Sequence, residues 1–355
     1  MNHLVILAPN WLGDAVMALP AIADVRRAAP GAAITVAARS AIAPLFQLVP
    51  QVNDTIVLAR PPAMRDLAAW RSLGAQLCGR QFDAALLFPN SLHSALLVSR
   101  AGIPERWGYR AGWRRGLLTR AIERTAGLHQ IDSYQQLVHA LGFPNGPLEP
   151  RAVVPQSARD AARRLLAESG WNGQTPLVAL APGAAYGGAK RWPPEYFAEL
   201  AGALASDGVA TVIVGSAADA ATANEVVHGR RTDGDSERHS DRGPERAGGD
   251  PNRIALHNVV GRTDLATLAG VLSLCRGLVT NDSGAMHLAA AVGISVTAVF
   301  GPTDDTATRP IGDAHAVLTQ PVWCRPCMLR ECPIDHRCMR GVTPAAVVDA
   351  ARRVL

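Results

Sequence analysis

The chain has 355 residues, of which 48% are hydrophobic and 18% are charged, a composition typical of a folded globular protein. A chain of this length is too long for one compact core and predicts two domains. It contains no apolar run near the roughly 18 residues that a membrane-spanning helix requires. The net charge of +5 favours an anionic partner but leaves its class open.

The N-terminal residues show no targeting signal. No basic segment precedes the apolar residues 4–8, and that run is only as long as a strand. We therefore expect no signal peptide and a cytoplasmic location.

The first half of the chain alternates short apolar runs with segments of helical periodicity. Residues 4–8 predict a buried strand, and residues 14–29 predict a helix with one apolar face. Strands alternating with helices predict a parallel sheet that is covered on both faces. The other elements predicted in this half are strands at 34–37, 55–58 and 84–88 and a helix at 64–78.

The second half begins the same pattern again. A helix at 155–169 and a linker at 170–176 precede a new strand at 177–180. The elements predicted after it are strands at 209–214, 278–280 and 296–300 and helices at 194–206, 217–227, 264–275 and 284–292. The fold class is therefore α/β, with two Rossmann-like, doubly wound domains facing each other across a cleft. The predicted domains are 1–170 and 171–340, followed by a C-terminal helix at 341–355.

Residues 228–253 interrupt the second domain. The stretch is crowded with Arg, Asp, Glu, Gly and Ser and has almost no apolar residue. It therefore buries too little surface to offset the entropy of ordering, and we interpret it as a disordered insertion. A nucleic-acid-binding arm is the functional alternative, which the mixed charges disfavour.

The first loop, residues 9–16, carries a carboxylate at the end of a strand. It reads Pro-Asn-Trp-Leu-Gly-Asp-Ala-Val, which lacks the G-x-G-x-x-G pattern and so disfavours a nicotinamide enzyme. Gly13 permits a tight turn, and Asp14 begins the next helix. Asp14 either caps that helix or is a base that takes a proton from an incoming hydroxyl.

A second loop, residues 182–193, also joins a strand to a helix. Its small residues allow backbone N–H groups to approach a ligand closely, but Arg191 and the glycine spacing exclude a Walker loop. Lys190 is the only lysine among the 35 Lys and Arg residues. A compact cation suits a pyrophosphate oxygen; a solvated surface lysine is the alternative.

The third segment, residues 280–289, reads Thr-Asn-Asp-Ser-Gly-Ala-Met-His-Leu-Ala. A Ser-Gly turn after a strand exposes the N-terminus of the next helix, and such a terminus attracts phosphate. His287 lies one turn further on, within reach of the same anion. Taken singly, Asp282 or Ser283 is equally explained as a helix cap, and His287 as a core histidine.

In this order the three segments resemble those of the bacterial lipopolysaccharide heptosyltransferases, among them the heptosyltransferase II branch. The resemblance covers nearly the whole chain apart from residues 228–253. It rests on N-W-L-G-D-A at 10–15, P-G-A-A-Y-G-G-A-K-R-W-P at 182–193 and N-D-S-G-A-M-H-L-A at 281–289. It implies a glycosyltransferase of the GT-B type, with the acceptor in the N-terminal domain and ADP-heptose in the C-terminal domain.

The resemblance further implies an inverting transfer of L-glycero-D-manno-heptose to the first heptose of the lipopolysaccharide inner core. Asp14 falls at the position of the general base, and Lys190 with the helix start stabilises the departing diphosphate. The residues implied at the donor are Gly13, Lys190, Thr263, Asp282, Ser283, Gly284 and His287. Relatives place an acidic or polar group toward the ribose after the strand at 209–214. Here the chain reads Gly-Ser-Ala-Ala-Asp, so no ribose contact is assigned.

The acceptor-binding candidates are Arg60, Arg110 and Arg120. Residues 106–115 interleave arginine with aromatic residues, which suits sugar rings and anionic groups, single-stranded nucleic acid, or a merely solvated face. From the resemblance we expect a lipid A–Kdo–heptose acceptor, peripheral contact with the inner face of the inner membrane, and no nucleic-acid partner.

Four of the six cysteines lie close together, at Cys324, Cys327, Cys332 and Cys338. Four thiolates at this spacing are enough for a structural zinc. Free thiols are the other interpretation, because disulfides are rare in the cytoplasm. No cluster of carboxylates indicates a catalytic Mg²⁺ site, so we expect catalysis without a metal cofactor.

Other functions stay open from the sequence alone. A heptosyltransferase for another core position would use the same groups. In a sugar-nucleotide epimerase of the same architecture, Asp14 would act on the sugar itself. A binding protein that senses a sugar nucleotide would hold the donor without turning it over.

Overall fold

The computed structural model describes residues 1–59, 74–235 and 256–354. Two compact units divide the chain: Met1–Val153 with Thr306–Thr308, and Val154–Asp305 with Arg309–Leu355. Each unit has its own parallel sheet, as the alternation of strands and helices predicts. No helix in the described ranges combines the length and apolar character needed to cross a membrane.

The first unit is built on six described strands. They are β1 (His3–Leu7), β2 (Ala33–Arg39), β3 (Asp54–Leu58), β4 (Ala84–Leu87), β5 (Glu105–Tyr109) and β6 (Arg120–Ile122). The helices are α1 (Leu12–Met17), α2 (Leu19–Ala28), α3 (Leu92–Arg100) and α4 (Gln130–Ala140). The strand order is β3-β2-β1-β4-β5-β6, and all neighbours are parallel. The order reverses between β1 and β4, which creates a crevice at the carboxyl ends of these strands.

Several elements of the first unit differ from the sequence prediction. β5 and β6 were not predicted, because charged residues flank the buried Trp107 and Tyr109 of β5. The predicted helix at 14–29 is two helices, since Pro20 stands at the start of α2 and has no N–H to continue the ladder. The helix predicted at 64–78 lies mostly outside the described residues.

The second unit repeats the architecture. Its strands are β7 (Leu177–Ala181), β8 (Ala210–Ile213), β9 (Leu256–Asn258), β10 (Gly277–Asn281), β11 (Ser295–Phe300) and β12 (His315–Thr319). Its helices include α5 (Gln156–Glu168), α6 (Pro194–Ser206), α7 (Ala220–Asp235), α8 (Leu265–Leu274) and α9 (Gly284–Val292). Three shorter or later helices follow, α10 (Asp305–Thr308), α11 (Arg337–Arg340) and α12 (Pro344–Val354). The order β12-β11-β10-β7-β8-β9 again reverses at the first strand of the unit, here between β7 and β10.

The units divide earlier in the chain than the predicted boundary at residue 170. α5 packs against α8, where a Cβ at Gly270 would lie 2.3 Å from the carbonyl oxygen of Ala158. Because Gly270 has no side chain, the two helices touch, and α5 belongs to the second unit. Residues 170–176 are therefore a loop inside the second unit. The predicted C-terminal helix is present as α12 and packs into the same core through Val347 and Ala351.

The charged stretch at 228–253 starts within a helix. α7 continues to Asp235, so the prediction of disorder is wrong for residues 228–235. Ala223 and Val226 are buried in the second core and anchor the start of this helix. The rest of the predicted insertion, up to residue 253, lies outside the described residues.

Candidate active site

Two loops of the second unit lie side by side at the carboxyl edge of its sheet. β7 and β10 are parallel neighbours, with Ala181 paired to Thr280. The loop at 182–193 and the segment from Asn281 therefore leave the sheet together. This is the point at which the strand order reverses, the usual position of a ligand in such a sheet.

Asn281 ties the two segments together. Its side chain is buried; the amide oxygen accepts a hydrogen bond from the Trp192 N–H (3.0 Å), and the amide nitrogen donates to the Pro182 carbonyl (2.7 Å). Both ends of the 182–193 loop are thus held by one side chain. Sequence reasoning missed this role. The signal for it was a polar residue at the end of a buried apolar strand.

Lys190 stands in a short 3₁₀ turn, Gly188–Lys190, and its ammonium group has two close neighbours. Nζ lies 2.5 Å from Oδ2 of Asp282 and 4.7 Å from the centre of the Tyr186 ring. The side chains of Lys190 and Asp282 are only 13% and 9% exposed. The interpretation of Lys190 as a solvated surface lysine is therefore wrong.

The Asp282 carboxylate is itself held in place. Its Oδ2 also accepts a hydrogen bond from Oγ1 of the buried Thr303, at 2.7 Å. A carboxylate repels a diphosphate, so Asp282 is suited to orient Lys190 and not to touch an anion itself. Thr303 was missed from the sequence, because it follows β11 and nothing local marks it as part of the site.

The N-terminus of α9 is not closed by a side chain. Ser283 is the N-cap residue but makes no capping hydrogen bond, and its Oγ lies 3.1 Å from Oγ1 of Thr280. The interpretation of Ser283 as a helix cap is therefore wrong. Gly284 begins the helix, and His287 is buried one turn further on. Helix N–H groups without a side-chain cap, beside a lysine, suit an anionic ligand.

The loop at 182–193, which we call the Lys190 loop, is also hydrogen-bonded to residues 328–336, which we call the clasp segment. Four groups of the Lys190 loop take part: one hydroxyl, two backbone N–H groups and one backbone carbonyl. The bonds run from Tyr186 OH to Met328 O (2.8 Å), Ala189 N to Arg330 O (2.8 Å), Gly188 N to Glu331 Oε1 (3.0 Å) and His336 Nε2 to Ala189 O (2.6 Å). Gly187 has φ of +157°, and a Cβ there would lie 2.3 Å from Arg330 O, so only glycine fits.

The loops that follow β8 and β9 border the same edge of the sheet. The Asp219 carboxylate accepts hydrogen bonds from the N–H and hydroxyl of Ser216, at 2.9 and 2.8 Å. Its Oδ1 lies 2.2 Å from where a Cβ of Gly183 would stand. An acidic group thus reaches the Lys190 loop at the place where the sequence left the ribose contact unassigned. Thr263 lies in the loop after β9, directly before the N-cap residue of α8.

Asp14 belongs to the first unit. It lies in the first turn of α1, whose N-cap residue is Trp11, so Asp14 is not itself the N-cap residue. The side chain is half-buried, and Gly13 precedes it within the same turn. Burial raises the pKa of Tyr134, and the negative charge of Asp14 raises it further. Because α1 follows β1 after a short loop, the Asp14 carboxylate lies near the carboxyl end of β1, as the sequence predicts.

The described side chains among the predicted acceptor residues contact groups of the protein itself. Arg60 lies outside the described residues. Arg110 forms an exposed ion pair with Glu123, and Arg120 donates to the Leu141 carbonyl at 3.1 Å. The basic stretch at 106–115 is partly core, since Trp107 and Tyr109 are buried in β5.

The four late cysteines are free thiols whose geometry does not fit a metal centre. Within the described ranges, no three or more His, Cys, Asp or Glu side chains are placed to hold a metal ion. Burial raises the pKa of the Cys338 thiol, and the charges of Cys324, Cys332 and Cys327 raise it further. A structural zinc stays a prediction that this geometry does not support.

A cationic, glycine-containing loop at the switch point of a Rossmann-like unit is typical of nucleotide-binding α/β enzymes. Comparison with known proteins is more specific. The family model for "Glycosyltransferase family 9 (heptosyltransferase)" matches residues 70–337. Lipopolysaccharide heptosyltransferase 2 of Escherichia coli (strain K12) is 29% identical over 324 residues, 89% of this chain and 87% of that protein. Lipooligosaccharide heptosyltransferase 2 of Haemophilus influenzae is 28% identical over 327 residues, 89% of this chain and 88% of that protein.

The fold agrees with these sequence matches. The solved structure of E. coli ADP-heptose lps heptosyltransferase II has a TM-score of 0.80 at 28% identity, covering 100% of this chain and 98% of that one. A glycosyl transferase family 9 structure from Veillonella parvula has a TM-score of 0.82 at 19% identity, covering 99% and 97%, which supports the fold alone. The chain belongs to glycosyltransferase family 9, the heptosyltransferases. The resemblance found in the three sequence segments is confirmed.

Proposed function

We propose that this enzyme transfers L-glycero-D-manno-heptose from ADP-heptose to the first heptose of the lipopolysaccharide inner core, with inversion at the anomeric carbon. The observation that carries the proposal is the Lys190–Asp282 pair beside the open N-terminus of α9. The names of the relatives supply the heptose and the lipopolysaccharide.

The donor would be held through its diphosphate in the second unit. Lys190 and the N–H groups at Ser283 and Gly284 offer positive charge to a diphosphate that gains negative charge as the glycosidic bond breaks. His287 would reach the same group or the heptose, and Thr263 would border the adenine. Because protein groups supply this charge, we propose that catalysis needs no metal ion and persists in EDTA.

The acceptor hydroxyl would be activated by Asp14. The carboxylate would remove the hydroxyl proton as the oxygen attacks the anomeric carbon, and ADP would leave from the opposite face. Direct displacement of this kind inverts the anomeric configuration. General-base catalysis typically contributes 10²–10⁴-fold to the rate.

An Asp14→Asn variant tests the proposal, because the amide keeps the shape of the carboxylate but cannot take the proton. We expect transfer to fall by at least about 100-fold, measured as the mass gain of a heptose-bearing core acceptor incubated with ADP-heptose. ADP affinity should stay at the wild-type value. Wild-type protein that leaves every heptose-bearing acceptor unchanged would refute the proposal. Conversion of the donor without acceptor would instead indicate an epimerase.

We also propose peripheral contact with the membrane that carries the lipid-linked acceptor. The first unit presents Trp113 with 93% of its surface exposed, beside the exposed Arg115. Tryptophan favours the membrane interface, and arginine is attracted to anionic lipid. Trp113→Ala should reduce co-sedimentation with phosphatidylglycerol vesicles. Trp323→Ala, which removes the exposed tryptophan of the second unit, should not.

A further inference from the structure

The clasp segment places a second cation on the aromatic ring that Lys190 contacts. The guanidinium carbon of Arg330 lies 5.2 Å from the centre of the Tyr186 ring, and Lys190 Nζ lies 4.7 Å from the same centre. The face of an aromatic ring carries partial negative charge and attracts cations. Tyr186 therefore gathers two positive charges from segments that are far apart in the chain, next to the Asp282 carboxylate.

The backbone of Arg330 is fixed against the Lys190 loop. Its carbonyl oxygen accepts a hydrogen bond from the Ala189 N–H at 2.8 Å, and its backbone occupies the space where a Cβ of Gly187 would stand. The residue is nevertheless exposed. The base of the side chain is therefore held in place, while the guanidinium group stays accessible to a ligand.

The charge of Arg330 is not paired within the described part of the chain. No carboxylate of those residues forms an ion pair with it, and its neighbour Glu331 instead accepts a hydrogen bond from the Gly188 N–H at 3.0 Å. The ammonium group of Lys190, by comparison, lies 2.5 Å from the Asp282 carboxylate, so that pair carries no net charge. A diphosphate carries more than one negative charge, and Arg330 offers a further positive charge beside Lys190.

We propose that Arg330 is a donor-binding residue whose guanidinium group contacts the diphosphate of the nucleotide-linked sugar together with Lys190. The inference rests on the proposed function, which supplies the diphosphate. A guanidinium group presents its N–H donors in a planar fork that matches two phosphate oxygens at once. This contact stabilises the charge that grows on the diphosphate as the glycosidic bond breaks. The clasp segment is then part of the donor site as well as a support for the Lys190 loop.

Calorimetric titration with ADP tests the inference without requiring transfer. Because a charge-assisted hydrogen bond is lost, the ADP affinity of Arg330→Gln should fall about tenfold or more, and Arg330→Lys should recover part of it. Arg340→Gln is the matched control, since Arg340 is an exposed arginine at the end of α11, and it should bind ADP as wild type does. An ADP affinity of Arg330→Gln equal to that of Arg340→Gln would overturn the inference.

Partial ligands show whether the diphosphate is the group that Arg330 contacts. Inorganic pyrophosphate carries the diphosphate alone, and adenosine carries the nucleoside alone. In competition with ADP, pyrophosphate should bind Arg330→Gln about tenfold less tightly than it binds wild type, while adenosine should bind both proteins alike. An equal loss of affinity for the two competitors would show that the substitution disturbs the whole site, and the inference would be wrong.

Binding and transfer measured together separate this inference from the proposed function. If Arg330→Gln loses ADP and pyrophosphate affinity but wild type transfers no heptose, Arg330 binds the diphosphate and the proposed function fails. If wild type transfers heptose and Arg330→Gln matches Arg340→Gln in ADP affinity and in the KM for ADP-heptose, the inference fails and the proposed function stands. Arg330→Met, which keeps the apolar stem of the side chain, replaces Arg330→Gln in these measurements if the glutamine variant does not fold.

Discussion

The Asp282 carboxylate receives two bonds on one oxygen, from Lys190 and from Thr303. The arrangement fixes the carboxylate, and the carboxylate fixes the ammonium group above the Tyr186 ring. Lys190 could be found from sequence because it is the only lysine. The contacts of Lys190 with Asp282 and of Asp282 with Thr303 could not be predicted, since the two supporting residues follow different strands, β10 and β11, and only the sheet brings them together.

Thr303→Val should leave the Asp282 carboxylate less well oriented toward Lys190. It removes no group that is proposed to contact the donor. Valine has nearly the shape of threonine but cannot donate to Asp282. Hydrogen bonds to charged groups are worth roughly 1.5–3 kcal/mol, so we expect the KM for ADP-heptose to rise about tenfold. The acceptor KM should not change, as measured by initial rates with each substrate varied in turn.

Thr303→Ser is the control for this prediction. Serine keeps the hydroxyl and should restore the donor KM to near the wild-type value. If the valine and serine variants behave alike, or if the KM values of both substrates rise equally, Thr303 acts only through general stability.

At the scale of elements, α8 begins at a capping residue, Asp264. The sequence analysis identified this residue only as the first of a predicted helix. The Asp264 side chain accepts a hydrogen bond from the Thr267 N–H at 2.7 Å. That bond, followed by one from the Thr267 side chain, lowers the pKa of Asp264 below its ordinary value of 3.8. The helix is otherwise apolar along Ala269, Val271 and Leu272, which are buried, so the cap is its main polar anchor.

Asp264→Ala should lower the free energy of unfolding by about 1 kcal/mol at neutral pH. Because the folded pKa is depressed, the stabilisation is present above the unfolded pKa of 3.8 and is lost as the pH falls through the lower folded pKa. Urea unfolding at about pH 7 and about pH 3 measures both limits. The difference in the free energy of unfolding between wild type and variant should be smaller at the acidic pH.

Asp313→Ala provides the comparison, since Asp313 is exposed and caps no helix in the described part of the chain. This variant should match wild type at both pH values. If Asp264→Ala lowers the free energy of unfolding by the same amount at both pH values, the cap is not what stabilises α8.

Elements themselves were predictable where their pattern is local. The buried strands β1, β7 and β11 are short apolar runs, and a run of that kind needs no tertiary information. β5 and β6 were missed because both begin with charged residues, Glu105 and Arg106 in β5 and Arg120 in β6. The split between α1 and α2 was missed because the apolar period continues through Pro20.

At the scale of the whole molecule, two units carry the same strand order, each with a core of its own. A ligand that binds only one unit should therefore protect only that unit. The proposed donor groups all lie in the second, with the exception of Gly13.

Hydrogen exchange with and without ADP checks this expectation. At an ADP concentration about 100-fold above its Kd, binding stabilises the protein by about 2.7 kcal/mol. We expect slower exchange in peptides covering residues 182–193 and 281–289 and unchanged exchange in those covering residues 84–109. Lys190→Met should abolish the protection. Equal protection in both units would contradict a donor site built mainly by the second unit.

By itself the sequence determined the fold class, the two-domain plan and the three segments that carry the family resemblance. These follow from local periodicity and from residue types at fixed spacing, which a linear chain displays directly. Only the tertiary structure decided that Asn281 and Thr303 support the Lys190 loop and that α5 belongs to the second unit. Those facts depend on which strands become neighbours. Strand order is set by the packing of whole elements, so no local pattern contains it.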